Sequence, residues 1–262
     1  MKDILQRIAA TKRIEVEASR RCVSLEELRE KALQVAAPVR SLRESIVSRE
    51  FGIIAEFKRR SPSRGEIAPM AKVDQIVMEY TRAGAAGCSI LTDTPYFGGA
   101  LTDLQVARTV TDIPLLRKEF IVDEYQIYQA RIAGADAILL IAAILDPAQV
   151  ARLADVAHGL GLEVLLELHD ESELAAVATD IDLIGVNNRN LRDFSVEFAP
   201  SLTLIEKLPA DSVKIAESGI RNNEDMLRLH EAGFDGFLIG EAFMSTPSPG
   251  STLATYLNVK QC

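Results

Sequence analysis

The chain has 262 residues, 48% of them hydrophobic, with 26% charged and a formal net charge of −9. This is enough apolar material for one large core on the scale of an α/β barrel. It excludes a disordered chain and a protein drawn to nucleic acid by bulk charge. No run approaches the roughly 20 apolar residues of a membrane span, and the opening residues lack the apolar core of a signal peptide, so a cytoplasmic location is expected. Cys22, Cys88 and Cys262 are scattered and read as free thiols, without the spacing of a zinc site. No metal and no cofactor are expected.

Residues 1 to about 50 come first as a charged segment. Ser24-Leu25-Glu26-Glu27 has the form of a capping box opening an amphipathic helix. No Pro/Gly/Ser-rich linker follows, so 1–262 is read as one domain, with a helical extension over 1–50 and the remainder over 51–262. From there apolar runs predict strands at Gly52–Phe57, Gly87–Leu91, Pro114–Lys118, Ala137–Ile141, Val164–Leu168, Leu183–Val186, Val213–Ala216 and Gly236–Ile239. Between them lie helical stretches, among them Val73–Ala83, Leu101–Val110, Glu124–Ala133, Pro147–Ala157 and Asn223–Ala232. Three helices end at Ala-Gly before an apolar strand, and their glycines, Gly84, Gly134 and Gly233, stand 50 and 99 residues apart. Each suits the left-handed position past a helix C-terminus. The spacing fits two and four units of about 25 residues, each holding one helix and one strand. Eight alternations with strands buried on both faces predict a parallel sheet closed as a (β/α)8 TIM barrel. No GxGxxG follows the first strand, against a dinucleotide fold.

In such a barrel chemistry gathers at the C-terminal strand ends. Along the first strand Ile54, Glu56 and Lys58 share a face, placing a carboxylate and an ammonium at the mouth. Lys58, Arg59, Arg60 and Arg64 form a basic stretch in an acidic protein and read as a local anion site. Lys118 ends the third strand. On the fifth, Leu165, Glu167 and His169 share a face; Glu167 needs a cationic partner or a raised pKa, whereas a lone His after a strand reads as structural. Asn187, Asn188 and Arg189 follow the sixth strand and are read as ligand-facing. Ser218-Gly219 and Gly240-Glu241 follow the last two strands, where barrels hold phosphate on backbone N–H groups.

Seven blocks in order resemble the indole-3-glycerol phosphate synthase family over nearly the whole chain: IIAEFKRRSPSRG from Ile53, ILTDTPYFGG from Ile90, PLLRKEFIVDEYQIYQARIAGADAILLI from Pro114, LLELHDESEL from Leu165, IGVNNRNL from Ile184, IAESGI from Ile215 and LIGEAFM from Leu238. The family's usual Lys-Asp-Phe is here Lys118-Glu119-Phe120, a conservative change. The resemblance implies extra N-terminal helices over the barrel mouth. It also implies conversion of 1-(2-carboxyphenylamino)-1-deoxyribulose 5-phosphate to indole-3-glycerol phosphate, CO2 and water. The roles it implies are Lys118 as acid in ring closure, Glu167 as stabiliser of cationic character, Glu56 as assistant in proton removal, and Lys58 as ligand of the substrate carboxylate and acid in dehydration. Asn187 and Ser218 join the catalytic set; Ser61, Phe97, Arg189 and Glu217 contact substrate; Lys58, Ser61, Gly219, Gly240 and Glu241 hold phosphate. A phosphorylated small molecule is the expected partner, and a monomer the expected state. Read from the residues alone, a Schiff-base aldolase on Lys118 or Lys58 and a non-catalytic phosphate-sugar binding barrel stay open. A sibling phosphoribosylanthranilate isomerase fits less well, since it is expected to use a Cys/Asp pair and the first strand here carries Glu56 and Lys58.

Overall fold

The computed structural model describes residues 4–177, 180–190 and 194–258; Cys262 lies outside them. Three helices come first: α1 (Ile4–Cys22), α2 (Leu25–Leu33) and α3 (Leu42–Val47). Then strands and helices alternate: β1 (Gly52–Phe57), α4 (Val73–Ala83), β2 (Gly87–Leu91), α5 (Leu101–Val110), β3 (Leu115–Lys118), α6 (Glu124–Ala133), β4 (Ala137–Ile141), α7 (Pro147–Gly159), β5 (Glu163–Leu168) and β6 (Leu183–Asn187). The chain continues with α8 (Ala199–Leu204), β7 (Val213–Glu217), α9 (Asn223–Glu231), β8 (Gly236–Ile239), α10 (Glu241–Met244) and α11 (Pro249–Leu257). All eight strands are parallel and close with β1 between β8 and β2, so the expected (β/α)8 barrel is the observed one. One connection departs from the pattern: β5 and β6 are joined through a 3-10 run, Glu171–Val177, of which only Ala176 is fully buried.

Local signals explain the elements. Gly84, Gly134 and Gly233 all have positive φ (97°, 88° and 101°), as helix-ending glycines do. Asp123 and Asp146 cap α6 and α7 with side-chain oxygens, and Ser24 accepts from the Glu27 N–H at the start of α2. The floor of the barrel is closed by α3. Its Leu42 and Ile46 are fully buried and press where a Cβ would stand on Gly52, Gly87 and Gly236, so larger residues there would displace the plug. In α1 the buried residues Leu5, Ile8, Ala9, Lys12 and Val16 form one stripe at helical spacing. The N-terminal part of that stripe reaches the other end of the barrel, and Val16 joins Leu28, Ala32, Tyr125 and Tyr128 in a small satellite core against α6. Among the described residues no helix is long and apolar enough to cross a membrane.

Side-chain alternation inside the barrel places the site. Ile54, Leu116, Leu165 and Ile215 of the odd-numbered strands are all fully buried. Two residues further along the same strands stand Glu56, Lys118, Glu167 and Glu217. Four side chains from alternate strands make one layer of an eight-stranded barrel. The uppermost such layer here is therefore three carboxylates and one ammonium on an aliphatic layer.

Candidate active site

A cavity of about 760 Å³ opens at the C-terminal end of the strands. Glu56, Lys58, Ser61, Phe97, Lys118, Glu167, Asn187, Arg189, Glu217, Ser218, Gly219, Gly240 and Glu241 all line it, so the catalytic, substrate-binding and phosphate-binding residues that the family resemblance implies converge on one mouth.

Its deepest feature is Lys118. The ammonium lies 2.8 Å from Glu167 Oε2 and 2.5 Å from Glu217 Oε2. Burial alone would favour the neutral amine, but Glu167, Glu217 and Glu56 outweigh it and raise the Lys118 pKa. Glu167 is also buried, yet Lys118 and His169 overcome that cost and hold its carboxyl well below the usual range. The Asn187 amide donates to its Oε1 at 3.1 Å. Glu217 fares differently. Burial, with the adjacent Glu167 charge, outweighs Lys118 and pushes it up to about 7. Its Oε1 is buried without a hydrogen-bond partner and occupies the space that a side chain on Gly185 would need. One cation thus serves two carboxylates, and the shortage of positive charge falls on Glu217.

Glu56 and Lys58 pair with each other at the end of β1. Gly240 is opposite: a Cβ there would press on the Glu56 side chain. Ser61 is buried in the hairpin after β1, where its Oγ accepts the Arg64 N–H at 3.3 Å. At the far rim Ser218 (φ 67°) and Gly219 (φ 79°) are consecutive left-handed residues. That conformation is costly for serine and is secured from outside. Asn188 Nδ2 donates to the carbonyls of Glu217 and Ser218, at 2.8 and 2.9 Å. Glu241 sits between Arg64 (3.0 Å) and Arg189 (3.6 Å). Opposite this polar rim the cavity wall is apolar: Ile4, Leu5 and Ile8 of α1 with Phe97, Phe120, Leu139 and Ile141. The Phe97 and Phe120 rings are 5.7 Å apart.

Two readings from the sequence need correction. Arg59 and Arg60 do not belong to an anion site. Arg59 grips both Asp103 oxygens and Arg60 donates to the Thr94 and Pro95 carbonyls, so they brace the loops while Lys58 and Arg64 face the cavity. Asn188 turns to the backbone instead of to a ligand, because it is one residue out of phase with Asn187 at the strand end. His169, set aside as a structural histidine, touches Glu167: its Nε2 is 3.2 Å from Glu167 Oε1. Sequence reasoning also missed Lys12, which is 3% exposed and ties α1 to the mouth through Asp93 (2.7 Å) and Glu119 (3.3 Å). Its place in the Leu5–Ile8–Val16 stripe is the one signal that could have found it.

Comparison with known proteins agrees with the geometry. A model of the family "Indole-3-glycerol phosphate synthase" matches residues 5–255. The indole-3-glycerol phosphate synthase of Bacteroides thetaiotaomicron is 51% identical over 261 residues, covering 100% of both chains. That of Neisseria meningitidis serogroup B is 48% identical over 249 residues, covering 93% of this chain and 95% of its own. Among solved structures, the tryptophan synthase subunit alpha of Legionella pneumophila superposes with a TM-score of 0.62 at 14% identity, over 84% of this chain and 98% of that one, a likeness of fold alone. With the match running from α1 to α11 at this identity, the chain belongs to the indole-3-glycerol phosphate synthase family.

Proposed function

We propose that the chain closes, decarboxylates and dehydrates 1-(2-carboxyphenylamino)-1-deoxyribulose 5-phosphate, giving indole-3-glycerol phosphate, CO2 and water. The apolar wall of Ile8, Phe97, Phe120 and Leu139 suits the aromatic ring, and the glycine-lined rim suits the phosphate. Backbone N–H groups of Gly219, Gly240 and Glu241, with Lys58 and Ser61, hold that phosphate; Arg189 helps to place the chain of the sugar.

In the first step the ring carbon bearing the carboxylate attacks the ketone carbon, and Lys118 gives its proton to the ketone oxygen. The ring nitrogen becomes a cationic iminium, which Glu167 stabilises, with Asn187 fixing the carboxylate. The carboxylate then leaves as CO2, and its bonding electrons return to the ring and neutralise the nitrogen. In the last step Lys58 protonates the departing hydroxyl while Glu56 takes a proton from the adjacent carbon, so that water is lost and the indole forms. Acid–base groups of this kind contribute roughly 10²–10⁴-fold each.

The observation that carries this reading is the Lys118 Nζ, 2.8 Å from Glu167 Oε2 and 2.5 Å from Glu217 Oε2 under the cavity, an arrangement that favours the ammonium. It also weighs against a Schiff-base aldolase, whose lysine must be a neutral nucleophile. The test is Lys118→Ala. Turnover is expected to fall by about 10²–10⁴-fold with substrate binding retained. The chain contains no Trp, so product indole fluorescence is read on a dark background. Turnover retained in that variant would remove Lys118 from the acid role.

A further inference from the structure

His169 follows β5 on the same face as Glu167 but does not line the cavity. Its ring is 12% exposed and lies between two carboxylates: Nε2 is 3.2 Å from Glu167 Oε1, and Nδ1 is 3.7 Å from Glu173 Oε2. Both contacts are ion-pair distances without the alignment of a hydrogen bond. Glu173, in the 3-10 run after β5, is itself fixed, accepting the His169 backbone N–H at 2.7 Å. An imidazole with a carboxylate facing each nitrogen is favoured in its doubly protonated form.

We propose that His169 is a positioning residue: wedged between Glu173 and Glu167 as an imidazolium, it decides which of the two carboxylates around Lys118 stays ionised. The proposal rests on the roles of Lys118 and Glu167 given above. Lys118 can neutralise one of Glu167 and Glu217. Glu167 receives a second cation from His169, whereas Glu217 receives none and has one oxygen without a partner. The shared proton is therefore steered to Glu217, and Glu167 is left anionic at the place where positive charge develops. Among the described residues, Glu167 and Glu173 are the charged groups within ion-pair distance of the ring; Lys118 and Glu217 lie one carboxylate further on. Burial would lower the imidazole pKa, but Glu167 and Glu173 outweigh it and push it up to about 10.

Two variants and one spectrum test this. In the parent, without substrate, proton NMR of the three histidines (His158, His169 and His230) should show one ring that stays charged through pH 8, and its signal should be missing in His169→Asn. Because no substrate is present, this reading fails or stands separately from the assignment of the reaction. His169→Asn should lower kcat roughly ten- to hundredfold with KM within twofold. The acid limb of its kcat profile should move up by about one pH unit or more as Glu167 loses a cation. Glu173→Gln leaves the ring in place but removes one anion, so a new loss of activity should appear on the alkaline side, at lower pH than in the parent. A His169 that titrates near its ordinary value overturns the proposal. So does a fall in kcat in both variants with pH profiles superimposable on the parent, since a ring that merely fills space would give that result.

Discussion

Two buried lysines in this molecule sit among carboxylates, and the two clusters differ in charge balance. Lys12 of α1 meets Asp93 and Glu119, and Glu119 also lies 3.6 Å from Arg117 and accepts from Thr92. Two cations there face two buried anions, with Glu15 on the solvent side. The cluster is balanced and packed between α1 and the loops after β2 and β3. Lys118 instead faces both Glu167 and Glu217, one cation against two anions, with Glu56 behind. That cluster is unbalanced and opens on a cavity. The residue types are the same in both. What separates a clamp from a catalytic site is the uncompensated carboxylate and its access to a ligand.

Breaking the balanced cluster should have the largest effect on stability. Lys12→Met leaves Asp93 and Glu119 short of a cation in a buried site, a change that costs about 3–5 kcal/mol. Thermal unfolding should report it. Because α1 supplies Ile4, Leu5 and Ile8 to the apolar wall, KM should rise more than kcat falls. A variant as stable as the parent would show that the Lys12 cluster is not a clamp.

A smaller effect is expected where the unbalanced cluster is disturbed through its packing. Gly185 leaves room for Glu217, and the Cβ of Gly185→Ala would overlap Glu217 Oε1. Overpacking of this kind costs about 1–3 kcal/mol. Here it should also lower kcat roughly tenfold or more, since Glu217 can no longer hold Lys118 in place. Calorimetry and steady-state kinetics together would check this, and unaltered kcat would show that the placement of Glu217 is not critical.

The same contrast explains what could be read from the chain alone. Strands such as Ala137–Ile141 are unbroken apolar runs, and Gly84, Gly134 and Gly233 mark helix ends by backbone chemistry, so both are local signals. Lys118 and Glu167 were legible because a polar residue at the end of an apolar strand has one place to go in a barrel. Lys12 was not, because a lysine on a charged helix looks solvent-facing until Asp93 and Glu119 are known to lie across from it. Arg59 and Arg60 resembled ligand-binding cations for the same reason; their partners, Asp103 and the Thr94 and Pro95 carbonyls, are more than 30 residues away. Asn187 and Asn188 are neighbours of identical type, and only strand phase sends one to Glu167 and the other to the backbone of Ser218. His169 gained its meaning from Glu173, whose position depends on a 3-10 turn that no periodicity announces.

The imbalance around Lys118 can be measured directly as the ionisation of Glu217. Its folded pKa, pushed up to about 7, lies above the ordinary glutamate value of 4.5. The native state therefore binds this proton more tightly than the unfolded chain does. The associated stability is complete below about pH 4.5 and is lost as pH rises through about 7. Carboxyl-¹³C NMR on glutamate-labelled protein, with Glu217→Gln as the control, should show one resonance titrating near pH 7 that the variant lacks. If every glutamate in the parent instead titrates below about pH 5, as ordinary carboxyls do, then Lys118 satisfies both of its neighbours and the account of the site is wrong.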